Sequence, residues 1–385
     1  MTKHLQVLHV GKYYPPYMGG IESHLETLCE ALRPDVEVSV LVANSESFDT
    51  EELVGGIPVT RVGTKLKVGT APLCPGMVSR LRASTADIIH VHLPNPTAVL
   101  AYLASGHKGP LVVTYHSDTV KQALLGAMFE PILNRFLRQS TAIIVSSPNY
   151  LRTSATLAEH QSRCRVVPLG IPVEQFGTCS PTAVERVRGK FGNRLVLAVG
   201  RMVYYKGFEY LIEAMTRVQG HLLLVGEGPL RPELQRLVAS RGLSERVSFL
   251  GVVADLVPFY HAADVFVLPS IARSEAFGIV QIEAMAAGTP VVNTSLDSGV
   301  PFVSPHGTTG LTVQPKDSVA LAGAIGSLLD DDQLRAACSK AAQFRARSEF
   351  SAEKMRERTQ AIYEECAGRR SPGATDDDRR YRQAV

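Results

Sequence analysis

The sequence predicts an α/β protein made of two doubly wound, Rossmann-like domains with parallel sheets. Three observations carry this. Short runs rich in Val, Ile and Leu alternate with stretches of helical periodicity. The series restarts after Phe176. Between the two series lies Pro168-Leu-Gly-Ile-Pro-Val-Glu-Gln-Phe176, whose two prolines and glycine suit a linker. Continuous apolar strands separated by helices imply sheets covered on both faces.

The first series places strands at 6–10, 37–42, 59–62, 88–91, 111–114, 143–146 and 165–167. The second places them at 195–199, 221–225, 247–250, 265–268 and 290–293. A chain of 385 residues fits two domains. The expected bounds are 1–172 for the first domain and 173–350 for the second, with a last helix over 351–366. Residues 367–385 are polar and charged and contain Pro-Gly, so a disordered tail is expected.

Composition narrows the function. A hydrophobic content of 45% supplies a full core. A net charge of +3, with no basic run interleaved with aromatics, gives no nucleic-acid footprint. The six cysteines (Cys29, Cys74, Cys164, Cys179, Cys338, Cys366) form no Cys-x-x-Cys pair. Neither a zinc site nor a disulfide framework is indicated, and reduced thiols in a cytoplasmic protein are the simplest reading. The first ten residues enter a strand without an apolar signal core. No run of about 18 apolar residues occurs, so any membrane contact is peripheral. The stretch 121–138 is apolar with basic ends. It reads equally as a surface for a membrane or lipid-linked acceptor and as a packed helix kinked at Pro131.

The most informative segment is Glu275-Ala-Phe-Gly-Ile-Val-Gln-Ile-Glu283, which follows an expected strand and opens an expected helix. A carboxylate just before the helix, Glu275, can accept hydrogen bonds from sugar hydroxyls. The backbone N–H groups around Phe277, Gly278 and Ile279 form a helix start that attracts phosphate. Glu283, more than a turn further in, can hold the diol of a ribose. Sugar, diphosphate and ribose in that order describe a nucleotide-sugar.

With the following Glu283-Ala-Met-Ala-Ala-Gly-Thr-Pro-Val-Val292, this segment resembles the donor motif of the retaining glycosyltransferases of family 4, over roughly residues 5–365. The resemblance implies the GT-B fold, two Rossmann-like domains facing across a cleft, with the last helix crossing back to the first domain. It implies a nucleoside-diphosphate sugar donor and retention at the anomeric carbon.

Other segments fall where the family has them. Gly200-Arg201-Met-Val-Tyr-Tyr-Lys206-Gly207 follows the first strand of the second domain, where open α/β sheets place ligands. Arg201 and Lys206 would receive the charge that develops on a departing diphosphate, in place of a metal. The loop ending in Gly19 and Gly20 lets backbone approach a ligand, and in similar enzymes it faces the donor phosphate and the acceptor. It is not a Gly-x-Gly-x-x-Gly fingerprint, which argues against a dehydrogenase.

His116 in Thr114-Tyr-His116-Ser-Asp118 matches the family's active-site histidine, which implies a hydrogen bond to the transferred sugar. His90 and His92 share one face of a strand. No carboxylate or cysteine cluster accompanies them, so packing or acceptor contact is the better reading than metal. The loop Gly226-Glu-Gly228-Pro resembles a family loop near the nucleotide and reads as well as a plain strand-to-helix turn. By the same resemblance, residues 251–255 would sit by the base.

One segment departs from the family. Where many relatives carry Gly-Gly-x-x-Glu, this chain has Asn293-Thr-Ser-Leu-Asp297-Ser-Gly299-Val-Pro301, without the glutamate.

The expected reaction is transfer of a hexose from a GDP- or UDP-hexose to a hydroxyl of a glycan or lipid-linked acceptor. No metal and no cofactor are needed, and His116, Arg201, Lys206 and Glu275 act on the reaction. A nucleotide-sugar 2-epimerase would need acid/base carboxylates that the sequence does not display. A non-catalytic nucleotide-sugar binder would not need Arg201, Lys206 and Glu275 intact.

Overall fold

The computed structural model describes residues 4–17, 19–69, 71–118 and 123–368. The chain divides into two compact units, one running to Gly170 and resuming at Ala352, the other spanning Ile171–Ser351. The first division falls two residues before the expected one. Its cause is local: Ile171 N–H donates to Phe350 O at 2.9 Å and bridges Ser351, which ties Ile171 to the second unit.

The first unit contains β1 (Leu5–Val10), β2 (Val36–Ala43), β3 (Thr50–Val54), β4 (Ile57–Val62), β5 (Leu66–Val68), β6 (Ala71–Leu73), β7 (Ile88–Leu93), β8 (Leu111–Tyr115), β9 (Ala142–Val145) and β10 (Cys164–Val166). Eight of these form one sheet, ordered β10-β9-β8-β7-β1-β2-β4-β3. It is parallel except for the edge strand β3, which runs antiparallel to β4. β5 and β6 form a separate antiparallel pair.

The second unit contains β11 (Leu195–Val199), β12 (His221–Val225), β13 (Val247–Gly251), β14 (Val265–Leu268), β15 (Val291–Thr294) and β16 (Gly310–Val313). They form a parallel sheet ordered β13-β12-β11-β14-β15-β16. In each sheet the strand order reverses beside the first strand, between β1 and β7 and between β11 and β14. The crevice at such a reversal is where doubly wound sheets bind ligands.

β3, β5, β6 and β16 were not expected from sequence. β3, Thr50-Glu-Glu-Leu-Val, is half-buried at its ends and exposed between, so it lacks the apolar run of its neighbours. β16 opens on Gly310, and its remaining residues, Leu311, Thr312 and Val313, are only half-buried.

The helix Ala352–Cys366 belongs to the first unit. Met355, Ile362 and Tyr363 enter the same apolar core as Leu25, Leu28, Cys29 and Leu32 of the helix Gly20–Leu32. Arg356 pairs with Asp35, and Arg165 with Glu365 at 2.9 Å. Of the expected tail, Ala367 and Gly368 continue the helix end through backbone bonds to Tyr363 and Glu365. Residues 369–385 lie outside the described residues.

The helix Ala123–Leu137 contains Pro131, and Phe136 and Leu137 are fully buried. Residues 121 and 122 of that stretch lie outside the described residues. Among the described residues, no helix is long and apolar enough to cross a membrane.

Candidate active site

In the second unit the loops after β11 and β14 are locked to one another. The chain leaves β11 through Gly200 and makes a short 3₁₀ turn, Tyr204–Lys206, closed by Gly207 at φ 65°. That left-handed conformation favours glycine, and a Cβ there would lie 2.2 Å from Pro269 O. Ile271 N–H donates to Tyr205 O at 2.8 Å. This contact brings Lys206 Nζ to 2.6 Å from Glu275 Oε2, with each side chain only 10% exposed. Ser270 Oγ donates to the same oxygen at 2.9 Å. Glu275 Oε1 accepts no hydrogen bond among the described residues, so one oxygen is held and the other is available.

Lys206 is therefore not a solvated surface cation. It is half of a buried ion pair, and its ammonium keeps further N–H donors for an anion. Arg201 differs: it is exposed and makes no ion pair among the described residues.

The helix Ile279–Ala286 starts two residues after Phe277, with Gly278 as its N-cap at φ 76°. A Cβ on Gly278 would come within 2.6 Å of Leu268 Cδ2, so the helix start seats directly on the end of β14. The Phe277 side chain is buried and stands edge-on to Phe350, centroids 6.0 Å apart. It packs the core, which leaves only its backbone for a ligand.

Glu283 Oε2 accepts a hydrogen bond from Tyr260 OH at 2.5 Å. Burial raises the Glu283 carboxyl pKa, and the Tyr260 hydrogen bond and the Lys206 charge oppose that. Sequence reading missed Tyr260, since a tyrosine in the helix Val257–Ala262 carries no motif.

A buried amide network under the helix was also missed. Asn293 Nδ2 donates to Gln281 Oε1 (2.9 Å) and to the carbonyls of Val300 and Ser304, while Thr312 Oγ1 donates to Asn293 Oδ1. Both amides are fully buried. The network holds the departing segment against the site: Gly299 N–H donates to Ala276 O at 2.7 Å, next to Glu275. Asp297 is exposed.

In the first unit, His116 follows β8, and its N–H donates to Leu93 O at 3.1 Å. Its ring lies among four other buried histidines. His9 Nδ1 is 3.1 Å from His92 Nε2, and His92 Nδ1 is 3.4 Å from His116 Nε2. The His90 and His92 rings stack at 4.4 Å, as strand alternation requires. His24, on the helix Gly20–Leu32, stands edge-on to His116 at 4.9 Å. Burial is the first cause of a lowered pKa at all five, taking His9 to about 3 and His24 to about 4. All five rings are neutral near pH 7.

Two triplets, His9/His90/His92 and His24/His92/His116, each gather ring nitrogens within 4.8 Å. Sequence showed the pair on β7 and, through the family motif, His116. His9 and His24 come from separate elements, and no spacing reveals them.

Gly19 is the extended N-cap of the helix Gly20–Leu32. A Cβ on Gly20 would meet nothing within 4 Å. The fold itself does not require glycine at position 20, which leaves open space beside that helix start.

Residues 18–175 match the family described as Glycosyltransferase Family 4, and residues 193–331 that described as Glycosyl transferases group 1. Over 354 residues the chain is 33% identical to D-rhamnosyltransferase WbpZ of Pseudomonas aeruginosa, covering 90% of this chain and 93% of that one. The chain belongs to glycosyltransferase family 4. This glycosyltransferase is also 31% identical to O-antigen chain mannosyltransferase C of Escherichia coli, over 86% of its own length and 90% of the relative's. Among solved structures it resembles Anabaena Alr3699/HepE in complex with UDP. The TM-score is 0.79 and the identity 22%, with 94% of this chain and 100% of that chain covered. That likeness shows the GT-B fold of this glycosyltransferase.

Proposed function

We propose that this glycosyltransferase moves a hexose from a nucleoside-diphosphate sugar to a hydroxyl of a glycan or lipid-linked acceptor, with retention and without a metal. The observation that carries the reading is the buried Lys206–Glu275 pair beside the helix start at Gly278. Glu275 is oriented by Lys206 and Ser270, and its available oxygen grips the sugar hydroxyls. Arg201, Lys206 and the amides of the 277–279 turn receive the diphosphate, and Glu283, steadied by Tyr260, takes the ribose diol. Charge that grows on the leaving phosphate as the anomeric bond breaks meets fixed cations, which favours the transition state over the ground state.

With Glu275 engaged in an ion pair, no carboxylate among the described residues is set out as a covalent nucleophile. The acceptor oxygen attacks from the face the diphosphate leaves. Its proton passes to the departing phosphate oxygen as the new glycosidic bond forms. In the first unit, His116 is assigned a hydrogen bond to the transferred sugar, and the loop at Gly19 and Gly20 leaves room for backbone to approach a ligand. Named relatives that transfer rhamnose and mannose, and a neighbour holding UDP, support a GDP- or UDP-hexose donor in glycan assembly. Reaction at the cytoplasmic face of a membrane suits a lipid-linked acceptor. The helix Ala123–Leu137, on which Met128 is 71% exposed, would make the peripheral contact.

The test is transfer from GDP- and UDP-hexoses, with the product's anomeric configuration read by NMR and the reaction repeated in chelator. Retention and unchanged turnover are expected. Inversion, or loss of activity in chelator, overturns the reading.

A further inference from the structure

The helix Ala352–Cys366 places Tyr363 among the histidines of the first unit, and Tyr363 is fully buried there. Its hydroxyl lies 2.6 Å from His90 Nδ1 and 3.3 Å from His9 Nε2. The chain of contacts is continuous. Thr114 Oγ1 meets His90 Nε2 at 2.7 Å, and His90 meets Tyr363. Tyr363 meets His9, His9 meets His92, and His92 meets His116. His116 Nδ1 is the open end, with no partner among the described residues.

A neutral imidazole has one N–H donor and one acceptor nitrogen, and a tyrosine hydroxyl has a single proton to donate. Burial keeps these rings neutral. Two arrangements then satisfy every contact and also give the Tyr363 proton an acceptor. In one, Tyr363 donates to His9. His90, His9, His92 and His116 all carry their proton on Nδ1, and His116 presents a donor at its open end. In the other, Tyr363 donates to His90. All four rings carry it on Nε2, and His116 presents an acceptor. A mixed pattern leaves two donors or two lone pairs facing each other, or has Tyr363 accept from both rings with its own proton unused, which is costly in the core.

We propose that Tyr363 is a positioning residue which, through His9 and His92, sets whether the open nitrogen of His116 donates to or accepts from the substrate. The last helix thus supplies a hydroxyl to the site's hydrogen-bond chain in addition to bracing the first unit. The substrate half of this inference rests on the proposed function, which places His116 against the sugar; the proton order does not depend on it.

The experiment is nitrogen-15 NMR of the histidine rings in the full chain, which distinguishes protonated from unprotonated ring nitrogens without substrate. In the wild type, His9, His90, His92 and His116 are expected to share one protonated nitrogen. Different tautomers among the four overturn the proposal, and this needs no variant. Tyr363→Phe keeps the ring and removes the hydroxyl; His116 is then expected to populate both tautomers. In the transfer assay that variant should lose about 10-fold in kcat, a size typical of outer partners of an active group, with donor KM unchanged.

A tautomer change without a change in kcat overturns the positioning role. Absence of transfer by the wild type sinks the proposed function and leaves the NMR result standing. A zinc titration is the further control, because both His24 ring nitrogens lack partners among the described residues and His24 offers a ring nitrogen near those of His92 and His116. Tight one-to-one shifts of His24, His92 and His116 would assign a metal site there and overturn the relay; unchanged spectra support it.

Discussion

Lys206 Nζ and Glu275 Oε2 lie 2.6 Å apart with both side chains nearly shut from solvent, although 68 positions separate them in the chain. The pair joins the residue expected to receive the diphosphate to the one expected to grip the sugar. A carboxylate held this way has one oxygen fixed in direction, which substrate positioning demands.

Removing one partner of that pair leaves the other charge buried. Lys206→Met is expected to cost about 3 kcal/mol of second-unit stability, as broken buried pairs do, whereas the double change Lys206→Met with Glu275→Gln should recover part of it. Denaturant unfolding of the wild type, Lys206→Met, Glu275→Gln and the double variant checks this. A double loss equal to the sum of the two single losses would mean the pair is not coupled. Glu275→Ala is expected to abolish transfer while nucleotide binding survives, and persistent turnover would remove Glu275 from its assigned role.

Tyr260 serves Glu283 alone among the groups assigned to the donor. Tyr260→Phe should weaken nucleoside-diphosphate binding by about 1.5 kcal/mol, near tenfold, because a hydrogen bond to a carboxylate is lost. Calorimetry with GDP and UDP measures it. Removing that bond also lets the Glu283 carboxyl pKa rise further, so the deficit should widen on mild acidification.

The histidine cluster sets an acid limit on stability. His9 and His24 fall to about 3 and 4 in the folded chain, below the ordinary value of 6.5. Between those values the unfolded chain binds protons that the folded one does not, so stability falls as pH drops. Each such histidine contributes a slope of up to about 1.4 kcal/mol per pH unit. Stability of the first unit should be insensitive to pH above about 7 and fall steeply from about 6 towards 4. A flat profile across that range would mean the rings are not held neutral. His9→Asn with His24→Asn should shallow the slope.

The sheets were legible in sequence because parallel strands buried on both faces must be apolar throughout, as in Ile88-Ile-His-Val-His-Leu93 and Leu195-Val-Leu-Ala-Val199. Edge strands carry no such demand, and β3 and β16 were missed for that reason. Glu275, Lys206 and Gly278 were legible because each sits in a segment whose backbone and charge have a shared purpose.

The partners that orient them were not. Tyr260, Ser270, Gln281 and Asn293 are single polar residues inside apolar stretches, and only packing shows which of them converge. The same holds for the histidines. His90 and His92 announce themselves by strand alternation. His9 joins them because β1 pairs beside β7, and His24 and Tyr363 because the helix Gly20–Leu32 and the last helix pack into the same core.

The central claim is that a leaving diphosphate is received by Arg201, Lys206 and the helix start at Gly278. A crystal structure of the enzyme with an intact GDP- or UDP-hexose tests it most directly. The account predicts phosphate oxygens within hydrogen-bonding distance of the Arg201 guanidinium, Lys206 Nζ and the amides of the 277–279 turn. A diphosphate bound away from these groups would contradict it.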